Sequence, residues 1–158
     1  MSLPLFFQIK RSSFVGKTTV FNFGVIKMTL KKGFKTLLQE AEAQIDTMSA
    51  SEANETVYRA DVVLVDIRDV RELEREGQIP GAIHAPRGML EFWVDPESPY
   101  FKPVFGGGKK FVLYCQSGWR STLATATLQN MGFDDVVHIE GGFDAWKQAR
   151  LPVEPYTR

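Results

Sequence analysis

The chain has 158 residues, 44% of them hydrophobic and 24% charged, with 19 basic side chains against 19 acidic. This is the make-up of one soluble globular domain, long enough to hide roughly 68–70% of its unfolded surface without help from a disulfide or a metal. Its one cysteine, Cys115, and its two histidines, His84 and His138, exclude an intrachain disulfide framework, a Cys-x-x-Cys zinc or redox motif and a His-rich metal site, and a reducing, cytoplasmic setting is expected. No stretch approaches the ~20 apolar residues that a membrane-spanning helix needs.

The zero net charge hides an asymmetry. Seven of the 19 basic residues fall before residue 40, where there is no acid, so the rest of the chain carries 12 basic residues against 19 acidic. Residues 1–27 read as a basic N-terminal extension to a domain over 28–158. Three readings of it stay open: a start assigned too early, with Met28 the true one; a targeting segment; or a basic arm that attracts anionic partners.

Phe34, Leu37, Leu38, Ala41 and Ile45 recur at helical spacing and predict an amphipathic helix over 34–45. Ser49 followed by Glu52 is a capping-box signature for a second helix over about 50–58. The apolar, β-branched run Val62-Val63-Leu64-Val65, ending at Asp66, predicts a strand covered on both faces. A charged helix over 70–76 stops at Gly77, and Ile79-Pro80-Gly81-Ala82 turns into a brief strand at Ile83. Residues 93–108 hold three prolines and three glycines and are expected to form a long surface loop. Phe111 to Tyr114 predicts a further strand, Ser121 to Met131 a helix, Val136 to Ile139 a strand, and Phe143 to Ala149 the last helix. Strands alternating with helices indicate an α/β fold, a parallel sheet of about five strands with helices on both faces. Ligands of such sheets bind outside the carboxyl ends of the strands, where both Asp66 and Cys115 fall.

The informative segment is Tyr114-Cys115-Gln116-Ser117-Gly118-Trp119-Arg120-Ser121. A short loop between strand and helix turns backbone N–H groups towards the cysteine sulfur, and the start of the helix adds to their field. A free cysteine with a pKa near 8.5 is roughly 3% thiolate at pH 7; a drop of about two units, worth ~2.7 kcal/mol, makes about three-quarters of it thiolate. Arg120 is expected to orient the loop or an incoming anion. The competing reading of Cys115 is a small core hydrophobe.

The sequence resembles the rhodanese-like domains of the sulfurtransferase superfamily. The resemblance rests on Leu64-Val65-Asp66-Ile67-Arg68 with Glu72, followed by Gly77 to His84; on Cys115 to Arg120, similar to the six-residue active-site loop; and on Gly141-Gly142-Phe143-Asp144-Ala145-Trp146. It covers about Ser49 to Val153. It implies an enzyme that takes a sulfane sulfur from a donor such as thiosulfate, holds it as a persulfide, and passes it to a nucleophilic acceptor, either a thiol, cyanide or a protein. Cys115 is then the nucleophile, and Gln116, Ser117, Gly118, Trp119 and Arg120 form the cradle, with no metal or organic cofactor. Cysteine phosphatases and arsenate reductases of related design place five residues between cysteine and arginine, and here four intervene. A non-catalytic binding module and a redox-sensing thiol are the remaining alternatives.

Asp66 is expected to support the loop or to pair with Arg68, Arg87 to reach the pocket and bind an anionic donor, and His84 to be structural. Trp119 either faces the acceptor or does not. Glu72, Glu74 and Glu76 read as a solvated helix face. Gly106-Gly107-Gly108 with Lys109 and Lys110 lacks the strand-before, helix-after context of a phosphate loop, so no nucleotide or nucleic-acid partner is expected.

Overall fold

Alternating apolar runs settle how the sheet is covered. The computed structural model describes residues 30–157, so the expected extension over 1–27 lies outside the described residues. From Lys32 onward the chain forms one compact unit. Its elements in order are α1 (Phe34–Glu42), β1 (Thr47–Met48), α2 (Ala50–Thr56), β2 (Val62–Asp66), α3 (Val70–Glu76), β3 (Ile83–His84), α4 (Leu90–Val94), β4 (Lys110–Tyr114), α5 (Trp119–Asn130), β5 (Val136–Ile139) and α6 (Gly142–Gln148). The five strands are all parallel, in the order β1-β5-β4-β2-β3.

Because side chains alternate along a strand, each central strand feeds two cores. Val63, Val65, Phe111, Leu113 and Val136 pack with Leu90, Val94, Ala124 and Leu128 on the face of α4 and α5. Leu64, Val112, Tyr114, Val137 and Ile139 pack with Ala50, Ala53, Phe143 and Trp146 on the face of α2 and α6. Cys115 continues the parity of Phe111 and Leu113 and joins the first core.

Capping fixes where helices begin. Ser49 accepts the Glu52 N–H while Glu52 accepts the Ser49 N–H at 2.8 Å, and Asp69 and Glu72 repeat this capping box at α3. Trp146 is fully buried and donates its Nε1–H to Pro152 O at 2.7 Å, tying the C-terminal tail to α6.

The structure departs from the sequence expectation in three places. The first helix ends at Glu42, and Phe34 and Leu37 of its apolar stripe stay exposed while Leu38, Ala41 and Ile45 are buried. The two-residue edge strand β1 has too little pattern to be read. The proline- and glycine-rich stretch 93–108 is mostly exposed and irregular, as expected of a surface loop, but it also holds the end of α4 and a 3-10 turn at Pro103–Phe105. Val94 and Phe105 are buried, with Phe105 stacked on Phe111 at 5.5 Å.

Beneath the carboxyl end of the sheet lies a fully buried ion pair. Arg68 donates from Nη2 to Asp66 Oδ2 at 2.8 Å and to Gly77 O at 2.7 Å, and its guanidinium lies 4.1 Å from the centre of the Phe143 ring. Burial works against the Arg68 charge, but the Asp66 carboxylate more than offsets it and holds the guanidinium pKa above its ordinary value. The Tyr114 phenol beside the pair is pushed well up, by burial first and by the Asp66 charge second. Asp66→Ala strands the arginine charge, so urea unfolding should show a loss of about 3–5 kcal/mol. Adding Arg68→Met to it should cost less than the sum of the two single changes.

Candidate functional site

The site is made by how the chain leaves β4. Cys115 follows the last strand residue, and Gly118, with φ at 99°, turns the backbone into α5. The Gly118 N–H points back at Cys115 Sγ at 3.2 Å. Behind this turn the carbonyls of Cys115 and Gln116 accept the N–H groups of Phe143 and Asp144 at 2.8 and 2.9 Å. Such close approach requires Gly142, where a Cβ would overlap Cys115 O and come within 2.9 Å of Gln116 O.

The loop side chains are held as firmly. Gln116 accepts from Arg68 Nη1 at 3.1 Å and donates to Asp144 Oδ1 at 2.7 Å and Glu76 Oε2 at 3.1 Å. Arg120 makes a two-pronged pair with Glu72, at 2.7 and 2.8 Å. That pairing raises the pKa of Arg120, with the Cys115 sulfur acting in the same direction, and lowers that of Glu72. Lys147 binds Glu76 at 2.7 Å, and this, with Arg75 and Gln116, brings Glu76 down to about 2. Glu72 and Glu76 are therefore structural partners of the loop, which corrects their reading as a solvated helix face.

Cys115 is 1% exposed, Ser117 is exposed, and Trp119 is 59% exposed with its ring 5.3 Å from that of Phe34. Asp66 and Arg68 lie beneath the loop, as described. Arg87 pairs with Glu91 at 2.7 Å and reaches Thr127 at 3.5 Å, so its hydrogen bonds run along α4 and α5. His84 donates Nε2–H to Arg68 O at 2.8 Å. Among the described residues no cluster of His, Cys, Asp or Glu is arranged to hold a metal ion. A cleft of about 350 Å³ lies at the amino ends of β2 and β4, lined by Arg59, Asp61, Lys110 and Asp135, which pair with each other.

The family model for the rhodanese-like domain matches residues 49–149. The chain belongs to the rhodanese-like domain family. A sulfurtransferase of Allochromatium vinosum is 37% identical over 93 residues, covering 59% of this chain and 78% of that protein. Uncharacterized protein slr1261 of Synechocystis sp. is 40% identical over 91 residues, 58% of this chain, and the match spans 46% of that protein. Among solved structures, RPA3614 of Rhodopseudomonas palustris, described as a protein of unknown function and possible tyrosine phosphatase, is 51% identical with a TM-score of 0.79. The match covers 82% of this chain and all of that one.

His138 is the site residue that sequence reasoning missed. Register pairs it with Leu113, two residues before Cys115, and its parity with Val136 turns it to the α5 side of the sheet. There Nδ1 lies 3.1 Å from Ser121 Oγ, itself 3.6 Å from Cys115 Sγ. The strand alternation Val136-x-His138 was the available signal.

Burial lowers the His138 pKa from 6.5 to about 4. A ring whose folded value lies below its unfolded one supports the fold above pH 6.5 and loses that support as pH falls towards 4. Chemical unfolding followed from pH 7.5 to 4.5 should show a loss of about 2.5 kcal/mol. His138→Asn should flatten that slope.

Proposed function

We propose that this rhodanese-like domain is a sulfurtransferase in which Cys115 carries the sulfur. The Cys115 thiolate attacks the outer sulfur of a donor such as thiosulfate, a sulfur–sulfur bond forms to Sγ, and the donor's own sulfur–sulfur bond breaks with its electron pair leaving on sulfite. A thiolate or cyanide then attacks the outer persulfide sulfur, and the electron pair of the breaking bond returns to Cys115, completing a double displacement. The observation that carries this reading is the Gly118 N–H aimed at Cys115 Sγ, 3.2 Å away, in a turn held from behind by two backbone hydrogen bonds. The sulfurtransferase name of the Allochromatium relative supports it.

The donor enters past Trp119 and Arg120, the partly exposed residues at the loop's front. Arg120 contributes charge and, through Glu72, orientation. The exposed Trp119 ring beside Phe34 offers the acceptor an apolar ledge, suited to a small thiol or to a cysteine on a protein. A reducing, cytoplasmic compartment keeps the thiol available.

Phosphoryl transfer is the second reading, favoured by the description of the Rhodopseudomonas relative. Against it stand the four residues between Cys115 and Arg120 and the depth of the sulfur, which suit delivery of one small atom better than a phosphoryl group.

Intact mass after incubation with thiosulfate should show one added sulfur, about 32 Da, that cyanide removes and that Cys115→Ser never acquires. Absence of the adduct with both thiosulfate and polysulfide would overturn the reading, and turnover of an aryl phosphate at a comparable rate would install its rival. Arg120→Met should slow loading from thiosulfate by about tenfold or more, the worth of one charge-assisted hydrogen bond, in a stopped loading assay.

A further inference from the structure

Behind the loop, three groups converge on a single hydroxyl. Ser121 Oγ lies 3.6 Å from Cys115 Sγ, 3.1 Å from His138 Nδ1 and 3.0 Å from Gly118 O. Ser121 is fully buried and His138 is 3% exposed. The hydroxyl has one proton to give and must choose among these neighbours.

Two observations bear on the choice. Gly118 O already accepts the Thr122 N–H and the Thr122 Oγ1–H, both at 2.9 Å. A carbonyl has two lone pairs, so Ser121 is a third donor there, and its proton can leave without orphaning an acceptor. The second is the state of the ring: burial alone holds His138 at about 4, so at neutral pH it carries one N–H.

We propose that His138 is a positioning residue for Cys115, donating Nδ1–H to Ser121 Oγ so that the Ser121 proton is turned onto the sulfur and favours the thiolate. The sulfur then gains the Ser121 O–H as a donor beside the Gly118 N–H, with the Arg120 charge acting on it from α5. The proton lost by the thiol leaves to water, and the ring keeps its own throughout. The other tautomer reverses the effect: an unprotonated Nδ1 would take the Ser121 proton, leave oxygen lone pairs facing the sulfur and favour the thiol. The other charged groups around the sulfur are Arg120 on α5, Glu72 of α3 paired to it, and the Asp66–Arg68 pair beneath the loop. The variants below leave all four in place.

The inference rests on Cys115 as the reactive thiol, and its test reads the thiol rather than sulfur transfer. The full chain is titrated by far-ultraviolet thiolate absorbance, taken as the difference from Cys115→Ser. His138→Leu should move the midpoint up by about one pH unit, Ser121→Ala should do the same, and the double variant should go no further. His138→Asn, which keeps an N–H donor near Nδ1 but cannot ionise, should restore most of the shift. An unchanged midpoint in His138→Leu, or an undiminished His138 effect in the Ser121→Ala background, overturns the proposal. Nitrogen NMR of the unmodified chain gives an answer that needs no variant: the Nδ1–H tautomer supports the proposal and the Nε2–H tautomer sinks it. A chain whose midpoint obeys His138 but takes no sulfur from donors keeps this inference and loses the transferase reading. One that takes sulfur with a midpoint indifferent to His138 does the reverse.

Discussion

The site depends on which way two carbonyls face. At Cys115 and Gln116 they point away from the sulfur and are captured by the N–H groups of Phe143 and Asp144, each 28 residues further on. With the carbonyls turned back, the amide of Gly118 is left to face the sulfur. A buried carbonyl without a donor costs about 1–3 kcal/mol, so α6 holds the loop's polarity as well as its shape. This is the physical reason for the glycine at 142: a side chain there would stand where Cys115 O and Gln116 O must be. The C-terminal motif is thus the back wall of the Cys115 loop, although the two are separate in sequence.

Around that backbone the charges are arranged in two tiers. Beneath the loop, Arg68 is neutralised by Asp66 and reaches Gln116, so its charge serves the framework. At the rim, Arg120 is bound by both oxygens of Glu72, and an arginine so engaged offers an anion less than a free one. Besides the Arg120 charge, a negative sulfur is faced at short range by the neutral Gly118 amide and, in the arrangement proposed above, by the Ser121 hydroxyl. Those donors are fixed in the fold and need no reorganisation when charge appears, the condition under which a polar site is most effective.

Much of this was legible in the chain. The runs Val62–Val65 and Phe111–Tyr114, the capping signatures at Ser49 and Asp69, and the strand, turn and helix around Cys115 are local patterns, and local patterns survive into the structure. What was not legible depends on pairing across the sheet. The acidic face of α3 looked solvated because its partners, Arg120 and Lys147, lie 48 and 71 residues away. His138 escaped notice for the same reason, since only the β4–β5 register brings it beneath the loop. The stretch 93–108 was legible as a surface loop from its prolines and glycines, which mark turns, but composition could not show that two buried residues, Val94 and Phe105, pin it to a core.

A cradle this well fixed poses its own difficulty, because the cysteine is 1% exposed and a carrier of sulfur must be reached twice in each cycle. The bonds that define the cradle lie behind it, at Phe143, Asp144 and Gln116, and on the α5 side, at Ser121 and His138. The exposed parts of the loop are side chains: Ser117 and Trp119, both exposed, and Arg120, whose side chain is 40% exposed. Side chains at a surface change rotamer in picoseconds to nanoseconds, and here they can do so without breaking a backbone bond of the turn. In the sulfur-transfer reading, access is therefore a matter of the Trp119 and Arg120 rotamers, while the donors that steady the charge stay where the fold puts them.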